Sequence, residues 1–187
     1  MDDDMIKTAL AYDLASDFHE IWRITRRRED GTYEPRIKTS TDVIWNKLHG
    51  TDEVDIANCS FRELPLNWKV ENLEAAKFAI NETYDRLMQG GVMTFSEIEQ
   101  ISSNVHEAWL GRNIWVYDKD KGDPKLALPY DELTVEEKEK DRRQVMLAIE
   151  KVKQYLEGLI DLDVIVDKYN ITPNKKTPIR CLHQILT

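Results

Sequence analysis

An internal repeat constrains the fold of this 187-residue chain more than any other feature of its sequence. The segment His19-Glu20-Ile21-Trp22 returns as His106-Glu107-Ala108-Trp109, and each copy is followed by a connector and then by an aromatic residue, a variable residue, Glu and Leu, at 61–64 and 130–133. Self-similarity in a fixed order is typical of a structural unit that is used twice. We therefore predict two related units, 1–90 and 91–160, and a C-terminal extension, 161–187, that packs on the body.

Apolar residues recur every three or four positions in four long stretches, and this spacing predicts amphipathic helices. Two threonines, Thr94 and Thr134, are each followed three residues later by glutamate, as in the capping box that begins many helices. The fold predicted is mainly α. The predicted long helices span about 6–27, 67–88, 95–111 and 135–160, with short helices at 41–48 and 162–169, an extended strand at 113–117 and an apolar C-terminal stretch at 179–186.

Charge and composition restrict the function classes. The chain is 41% hydrophobic and carries a net charge of −9, which favours a soluble globular protein and disfavours binding to a nucleic-acid polymer. No apolar run approaches the length of a membrane span, and the acidic start at 1–4 lacks the features of a signal peptide. We expect a cytoplasmic protein that does not bind membranes, with two cysteines too few for a disulfide framework.

The second unit resembles the RyR domain, a module repeated in ryanodine receptors and also found in small bacterial and phage proteins. The resemblance covers about residues 94–157, and the first unit, which retains His19-Glu20-x-Trp22, Tyr33 and Glu63-Leu64-Pro65, resembles a diverged copy. The motifs that carry it are His106-Glu107-x-Trp109, Arg112, Trp115-x-Tyr117, Leu128-Pro129-Tyr130-x-x-Leu133 and Glu136-Glu137-Lys138-x-x-Asp141-Arg142.

This resemblance has consequences for fold and function. It implies that each unit contains two long antiparallel helices joined by an irregular or short β connector. Ile114 and Asp118 stand where the family usually has glycine, which predicts a connector of changed shape. RyR domains occur alongside nucleotide-signalling immune systems, and that context suggests a nucleotide-derived ligand.

Catalytic and metal-binding motifs find little support in the sequence. Each His-Glu pair lacks the second histidine of a zinc-hydrolase motif, since Arg23 and Leu110 occupy that position. The segment 118–129 does not match a calcium loop, and no phosphate-binding glycine loop or nucleophile elbow occurs. We predict a protein that is not an enzyme and that holds no metal or cofactor. His19 and His106 are interpreted as hydrogen-bonding to the connectors and orienting them.

Aromatic and cationic residues around the connectors are the candidate ligand-binding set, because aromatic faces stack on bases and arginine pairs with phosphate. Trp22 and Trp109 lie on apolar stripes, which favours a place in the core, whereas Trp115 and Tyr117 lie on a connector and are equally suited to ligand or structure. The predicted set is Trp22, Arg26, Tyr33, His106, Trp109, Arg112, Trp115, Tyr117 and Tyr130.

Two functional hypotheses follow. In the first, the two units form a groove for a small nucleotide-derived signalling molecule, and the protein acts by sequestering it, as a phage protein would in the host cytoplasm to counter immune signalling. In the second, the protein is an interaction or scaffolding module that pairs with a partner or with another copy of itself as a homo-oligomer, through the charged helix after Thr134 and the apolar C-terminal stretch.

Overall fold

Six α-helices and one small sheet account for the regular structure of the described residues, 1–120 and 122–172, in a computed structural model. The mainly α prediction is confirmed. Short 3-10 segments occupy Ile114–Tyr117 and Tyr130–Glu132. The elements are α1 Asp3–Ile24, β1 Ile37–Thr39, α2 Val43–His49, β2 Glu53–Asp55, α3 Leu66–Met88, α4 Phe95–Arg112, α5 Val135–Leu156 and α6 Leu162–Tyr169.

The helix ends follow from local chemistry. Thr94 and Glu97 form the predicted capping box of α4, and the Thr134 hydroxyl accepts the backbone N–H of Glu137 at the start of α5. The end of α5 predicted near residue 160 is wrong. Gly158 adopts a φ of +71°, and the N–H of Leu159 donates back to the carbonyl of Gln154, so the helix ends at Leu156.

One hydrophobic core is shared by both predicted units. α1 runs antiparallel to α3, because Lys7 near the start of α1 lies 2.8 Å from the Asp85 carboxylate near the end of α3. Buried side chains of all four long helices meet in this core, and each of the leucine, isoleucine and valine side chains contributes about 1.5 to 3 kcal/mol. They include Leu10, Leu14, Ala76, Ile80, Val105, Val145 and Val152. The boundary between the two units therefore runs through the middle of the packed body.

A buried ion cluster joins α1 to α5. The Lys151 ammonium lies 2.6 Å from a carboxylate oxygen of Asp13 and 2.6 Å from one of Asp17. Burial alone would lower the pKa of Lys151, but hydrogen bonds to the two carboxylates outweigh it and raise the pKa. The cluster fixes the rotation of the two helices against each other.

The connectors differ from each other in structure. The first contains β1 and β2, which pair antiparallel with Lys38 opposite Val54, and α2 lies between them. The strand predicted at 113–117 in the second connector is wrong. The backbone N–H of Val116 donates to the carbonyl of Asn113, and that of Asp118 to the carbonyl of Trp115, which are the hydrogen bonds of a 3-10 helix.

Part of the predicted C-terminal extension contacts the body. α6 brings the Tyr169 ring to 5.5 Å from the Tyr12 ring of α1, and to 6.0 Å from the ring of Phe61. The apolar stretch predicted at 179–186 lies outside the described residues. Within the ranges that are described, no helix is long and apolar enough to cross a membrane.

Candidate functional site

The two repeated histidines make the same contact in both halves of the molecule. His19 Nε2 lies 2.9 Å from the carbonyl oxygen of Cys59, and His106 Nε2 lies 2.8 Å from that of Leu128. Both carbonyls lie two residues before the aromatic residue of the second repeated motif. The prediction that the histidines hydrogen-bond to the connectors is confirmed, since each ties the end of a helix to its own connector.

Each histidine also faces the tryptophan of its motif. The ring centroids are 5.8 Å apart for His19 and Trp22, and 6.1 Å apart for His106 and Trp109. The interpretation of the two tryptophans as core residues is wrong. Both are only partly buried, because they lie in the last turns of α1 and α4, where the helices extend past the close-packed centre of the core.

Three adjoining cavities, which we call the trough, run across the boundary between the first half, 1–90, and the second half, 91–160. A central cavity of about 350 Å³ is lined by both Trp22 and Trp109. A second-half cavity of about 260 Å³ shares Trp109 with it, and a first-half cavity of about 120 Å³ shares Trp22. The tryptophans thus stand where the central cavity meets the outer ones.

Positively charged side chains of α5 border the central cavity. Lys140 and Arg143 both line it, and Lys140 lies 2.7 Å from the Glu137 carboxylate. The side chain of Arg143 forms no ion pair or hydrogen bond with any residue that the structure describes. The acid on the opposite wall, Glu71, is already paired with the Asn113 amide at 3.1 Å. Arg143 is therefore available to an anionic group.

The outer cavities differ at two matched positions. In the second half, Glu137 and Asp141 line the cavity, whereas the aligned residues of the first half are Trp68 and Asn72. The indole of Trp68 occupies volume that glutamate leaves open, which accounts for the smaller first-half cavity. Trp68 and Asn72 give the first-half cavity an uncharged wall, whereas Glu137 and Asp141 give the second-half cavity an acidic one.

A buried proton-sharing pair lies at the base of the second-half cavity. His106 Nδ1 is 3.3 Å from Asp141 Oδ2, and both residues are buried. The carbonyl of Leu128 can only accept a hydrogen bond, so His106 Nε2 must carry a proton and donate to it. The contact between Nδ1 and the Asp141 carboxylate is then favourable only when a second proton lies between those two groups. Burial raises the pKa of Asp141 to about 6, even though His106 lowers it. In the first half, burial lowers the pKa of His19.

The remaining predicted site residues lie around the trough and do not line it. Arg26 lies over the Trp22 ring at 5.7 Å and hydrogen-bonds to the carbonyl of Glu34, and the Tyr33 ring is covered by the guanidinium of Arg23 at 4.5 Å. These side chains form a rim on the first connector.

The site residues predicted around the second connector lie apart from one another. Arg112 is 3.6 Å from the Glu71 carboxylate, and Tyr130 is buried beneath the His106 ring. Trp115 and Tyr117 are 47% and 58% exposed, and Trp115 contacts the site only through the edge of the Trp109 ring. Of the nine predicted residues, Trp22, His106 and Trp109 line the trough.

Sequence reasoning missed the contribution of α5. Its residues in the trough recur at helical spacing, so they share one helix face. That spacing could have indicated a common site. It lies within a dense run of charged residues, however, and such a run is equally typical of a solvent-exposed helix surface. The missed residues are Glu137, Lys140, Asp141, Arg143 and Gln144.

Comparison with protein-family models, curated proteins and solved structures found no match. The resemblance to the RyR domain and the division into two related units stay predictions. In the part of the chain that the structure describes, no group of three or more His, Cys, Asp or Glu residues could hold a metal ion.

Proposed function

We propose that the protein is a non-enzymatic binder of a small nucleotide-derived ligand and that the central cavity holds this ligand. One observation carries the proposal: Trp22 and Trp109, the repeated tryptophans, line the same cavity together with the cations Lys140 and Arg143. A nucleotide presents both an aromatic base and an anionic phosphate, and this cavity offers a partner to each.

Known magnitudes support binding at such a site. Stacking of a base on an aromatic side chain contributes about 1 to 3 kcal/mol. An arginine or lysine that meets a phosphate forms a charge-assisted hydrogen bond, roughly twice as strong as a neutral one. A volume of about 350 Å³ lies in the range typical of small-molecule sites. Lys140 and Arg143 can offset the charge of one bound anion, even though the net charge of the whole chain is −9.

Binding alone is sufficient for the biological role that we propose. A protein that holds a signalling nucleotide withdraws it from its receptors, with no chemical change to the ligand. Sequestration of a host immune signal by a phage-encoded protein in the host cytoplasm is the form of this role that the resemblance to RyR domains favours.

A thermal-shift screen tests the proposal directly. Purified full-length protein is heated with cyclic dinucleotides, cyclic ADP-ribose isomers, ADP-ribose and common nucleotides. A ligand at 100 times its dissociation constant adds about 2.7 kcal/mol to the free energy of unfolding. At least one of these ligands is expected to raise the melting temperature. A flat screen, with known binding proteins as positive controls, would overturn the proposal.

Substitutions then locate the site. Trp22→Ala and Trp109→Ala each remove a wall of the central cavity and are expected to weaken the ligand at least about tenfold. Trp115→Ala is the matched control, because Trp115 is exposed and does not line the trough. A loss of affinity in Trp115→Ala, with Trp22→Ala unchanged, would place the ligand on the second connector instead.

A protein-interaction role is the second candidate, and α2 favours it. Val43, Ile44 and Leu48 are 78%, 82% and 80% exposed, so this short helix presents apolar side chains to solvent. Light scattering over a range of protein concentrations tests self-association through this face. A mass that rises with concentration in the native protein, and not in Ile44→Ser, would support a homo-oligomer. A constant monomer would count against it.

A further inference from the structure

The histidine that anchors the second connector has two acceptors to satisfy, whereas the histidine of the first connector has one. His106 Nε2 lies 2.8 Å from the carbonyl oxygen of Leu128, and its Nδ1 lies 3.3 Å from Asp141 Oδ2. His19 Nε2 lies 2.9 Å from the carbonyl oxygen of Cys59, and its Nδ1 has no hydrogen-bond or ion-pair partner among the described residues. The two anchors therefore need different numbers of protons.

A neutral imidazole carries one N–H, so it can donate to only one of two acceptors. While His106 and Asp141 hold a second proton between them, both contacts of the ring are satisfied. Without that proton, the Asp141 carboxylate competes with the Leu128 carbonyl for a single N–H. A hydrogen bond to an ionised acceptor is roughly twice as strong as one to a neutral acceptor. The remaining proton therefore moves to Nδ1, and the carbonyl of Leu128 loses its donor.

The surroundings of the pair favour loss of this proton near neutral pH. Among the described residues, the titratable groups that face it are Glu137 and Lys140 of α5 and Tyr130 of the connector. Glu137 and Lys140 carry opposite charges and are paired with each other at 2.7 Å, so their effects on the pair oppose each other. Burial raises the pKa of Tyr130, which stays neutral. Burial also raises the pKa of Asp141 to about 6, so the pair loses its second proton as the pH rises through that value.

We propose that His106 and Asp141 form a proton-controlled anchor, which holds the second connector while the pair is protonated and releases it when the proton is lost. Leu126 of this connector lines the second-half cavity, so release loosens one wall of that cavity. The first connector keeps its anchor, because burial lowers the pKa of His19 and the neutral ring has a single acceptor to satisfy. The protein thus responds to pH in one half only, whether or not a ligand is bound.

Nitrogen NMR of the imidazole rings in the full chain, between pH 5 and pH 8, tests the proton transfer. Nε2 of His106 is expected to carry a proton at the lower pH and to lose it at the higher pH, where the remaining proton is on Nδ1. Nε2 of His19 is expected to stay protonated over the whole range. A proton that remains on Nε2 of His106 at pH 8 would overturn the proposal.

Hydrogen exchange measures the release of the connector itself. The backbone N–H of Ala127 donates to the carbonyl of Asp123 in the second connector, and that of Cys59 donates to the carbonyl of Asp55 in the first. Because raising the pH accelerates intrinsic exchange equally at both amides, the ratio of their rates reports only the change in structure. From pH 5 to pH 8, the ratio of the Ala127 rate to the Cys59 rate is expected to rise at least about fivefold. A constant ratio would contradict release.

Asp141→Asn identifies the group that is responsible. The asparagine amide can donate to Nδ1 of His106, which leaves the Nε2 proton for the Leu128 carbonyl at every pH. In this variant the ratio of exchange rates is expected to stay within about twofold from pH 5 to pH 8. Glu136→Gln, at an exposed acid of the same helix, is the control and is expected to keep the native pH dependence. A native pH dependence in Asp141→Asn would assign the effect to another group and overturn the proposal. The NMR test uses the native protein, so it remains decisive even if Asp141→Asn does not fold.

Discussion

Lys151 of α5 is held between Asp13 and Asp17 of α1, with a distance of 2.6 Å from its ammonium nitrogen to a carboxylate oxygen of each. The lysine is buried, whereas Asp17 is partly open to solvent. The lysine therefore bears most of the desolvation, and the two acids offset it. This contact is one of several polar links between the two halves, together with those of Glu71 to Arg112 and Asn113.

Removal of that lysine is expected to destabilise the fold. Lys151→Met keeps much of the aliphatic stem but leaves Asp13 and Asp17 as neighbouring like charges, so the free energy of unfolding should fall by about 2 kcal/mol. Chemical denaturation at pH 7 measures the change. Lys153→Met, at an exposed position on the same helix, serves as the control and should change stability by less than about 0.5 kcal/mol. Equal effects of the two variants would contradict the proposed importance of the cluster.

The Asp141 carboxylate is expected to make stability depend on pH in a particular direction. Its pKa is raised to about 6 in the folded protein, above its ordinary value of 3.8, so the folded state binds this proton more tightly than the unfolded state does. Stability from this group is therefore present at low pH and is lost as the pH rises through about 4 to 6.

Substitution by asparagine, the residue at the aligned position 72, removes that titration. The free energy of unfolding of the native protein, minus that of Asp141→Asn, should decline between pH 4 and pH 6. Denaturation curves of both proteins at several pH values measure this difference. A difference that stays constant over this range would show that Asp141 titrates at its ordinary value.

Loss of either connecting histidine should destabilise the fold, and His106→Ala should cost more because it also leaves the buried Asp141 carboxylate without its partner. His19→Ala and His106→Ala each leave a carbonyl oxygen, of Cys59 or Leu128, without its donor. A buried acceptor without a partner costs about 1 to 3 kcal/mol, and the connector that it anchored should gain mobility. Hydrogen exchange measures that gain, which should be confined to the connector of the altered half. His49→Ala is a control, because His49 is exposed on α2.

Replacement of two glycines by alanine is expected to change the stability of the protein in opposite directions. Gly158 has a φ of +71°, so Gly158→Ala forces a side chain into a left-handed conformation and should destabilise the protein by about 1 kcal/mol. Gly111 lies within the last turn of α4 and an added Cβ meets nothing within 4 Å, so Gly111→Ala should stabilise it by about 0.5 kcal/mol. Thermal denaturation compares the two, and changes of the same sign would contradict this account.

Helices were predictable because their signals are local. The apolar spacing around Ile80 and Val145 and the capping threonines Thr94 and Thr134 act within one or two turns, and they sufficed for the long helices. The strand predicted at 113–117 failed because β propensity needs a partner strand, and Asn113 instead hydrogen-bonds to the carbonyl of Trp109 and to the Trp115 indole.

The site was only partly predictable because it is assembled across the fold. The repeated motifs pointed to Trp22, His106 and Trp109, and these line the trough. Lys140 and Arg143 come from a helix that no repeated motif marks, and only the packing of α5 against α1 brings them near Trp22. Proximity between residues more than 100 positions apart has no signature in a single sequence.

His19 and His106 line the outer cavities and also anchor the connectors, but the residues that make the two cavities differ are others, and this has an evolutionary consequence. His19 and His106 hold the connectors through backbone carbonyls, whose presence does not depend on which side chains the connectors carry. Residues such as Trp68 and Glu137 can therefore diverge without disturbing the anchors. Two related units, as the sequence predicts, could in this way keep the same anchors while selection reshaped one of the two cavities for a new ligand.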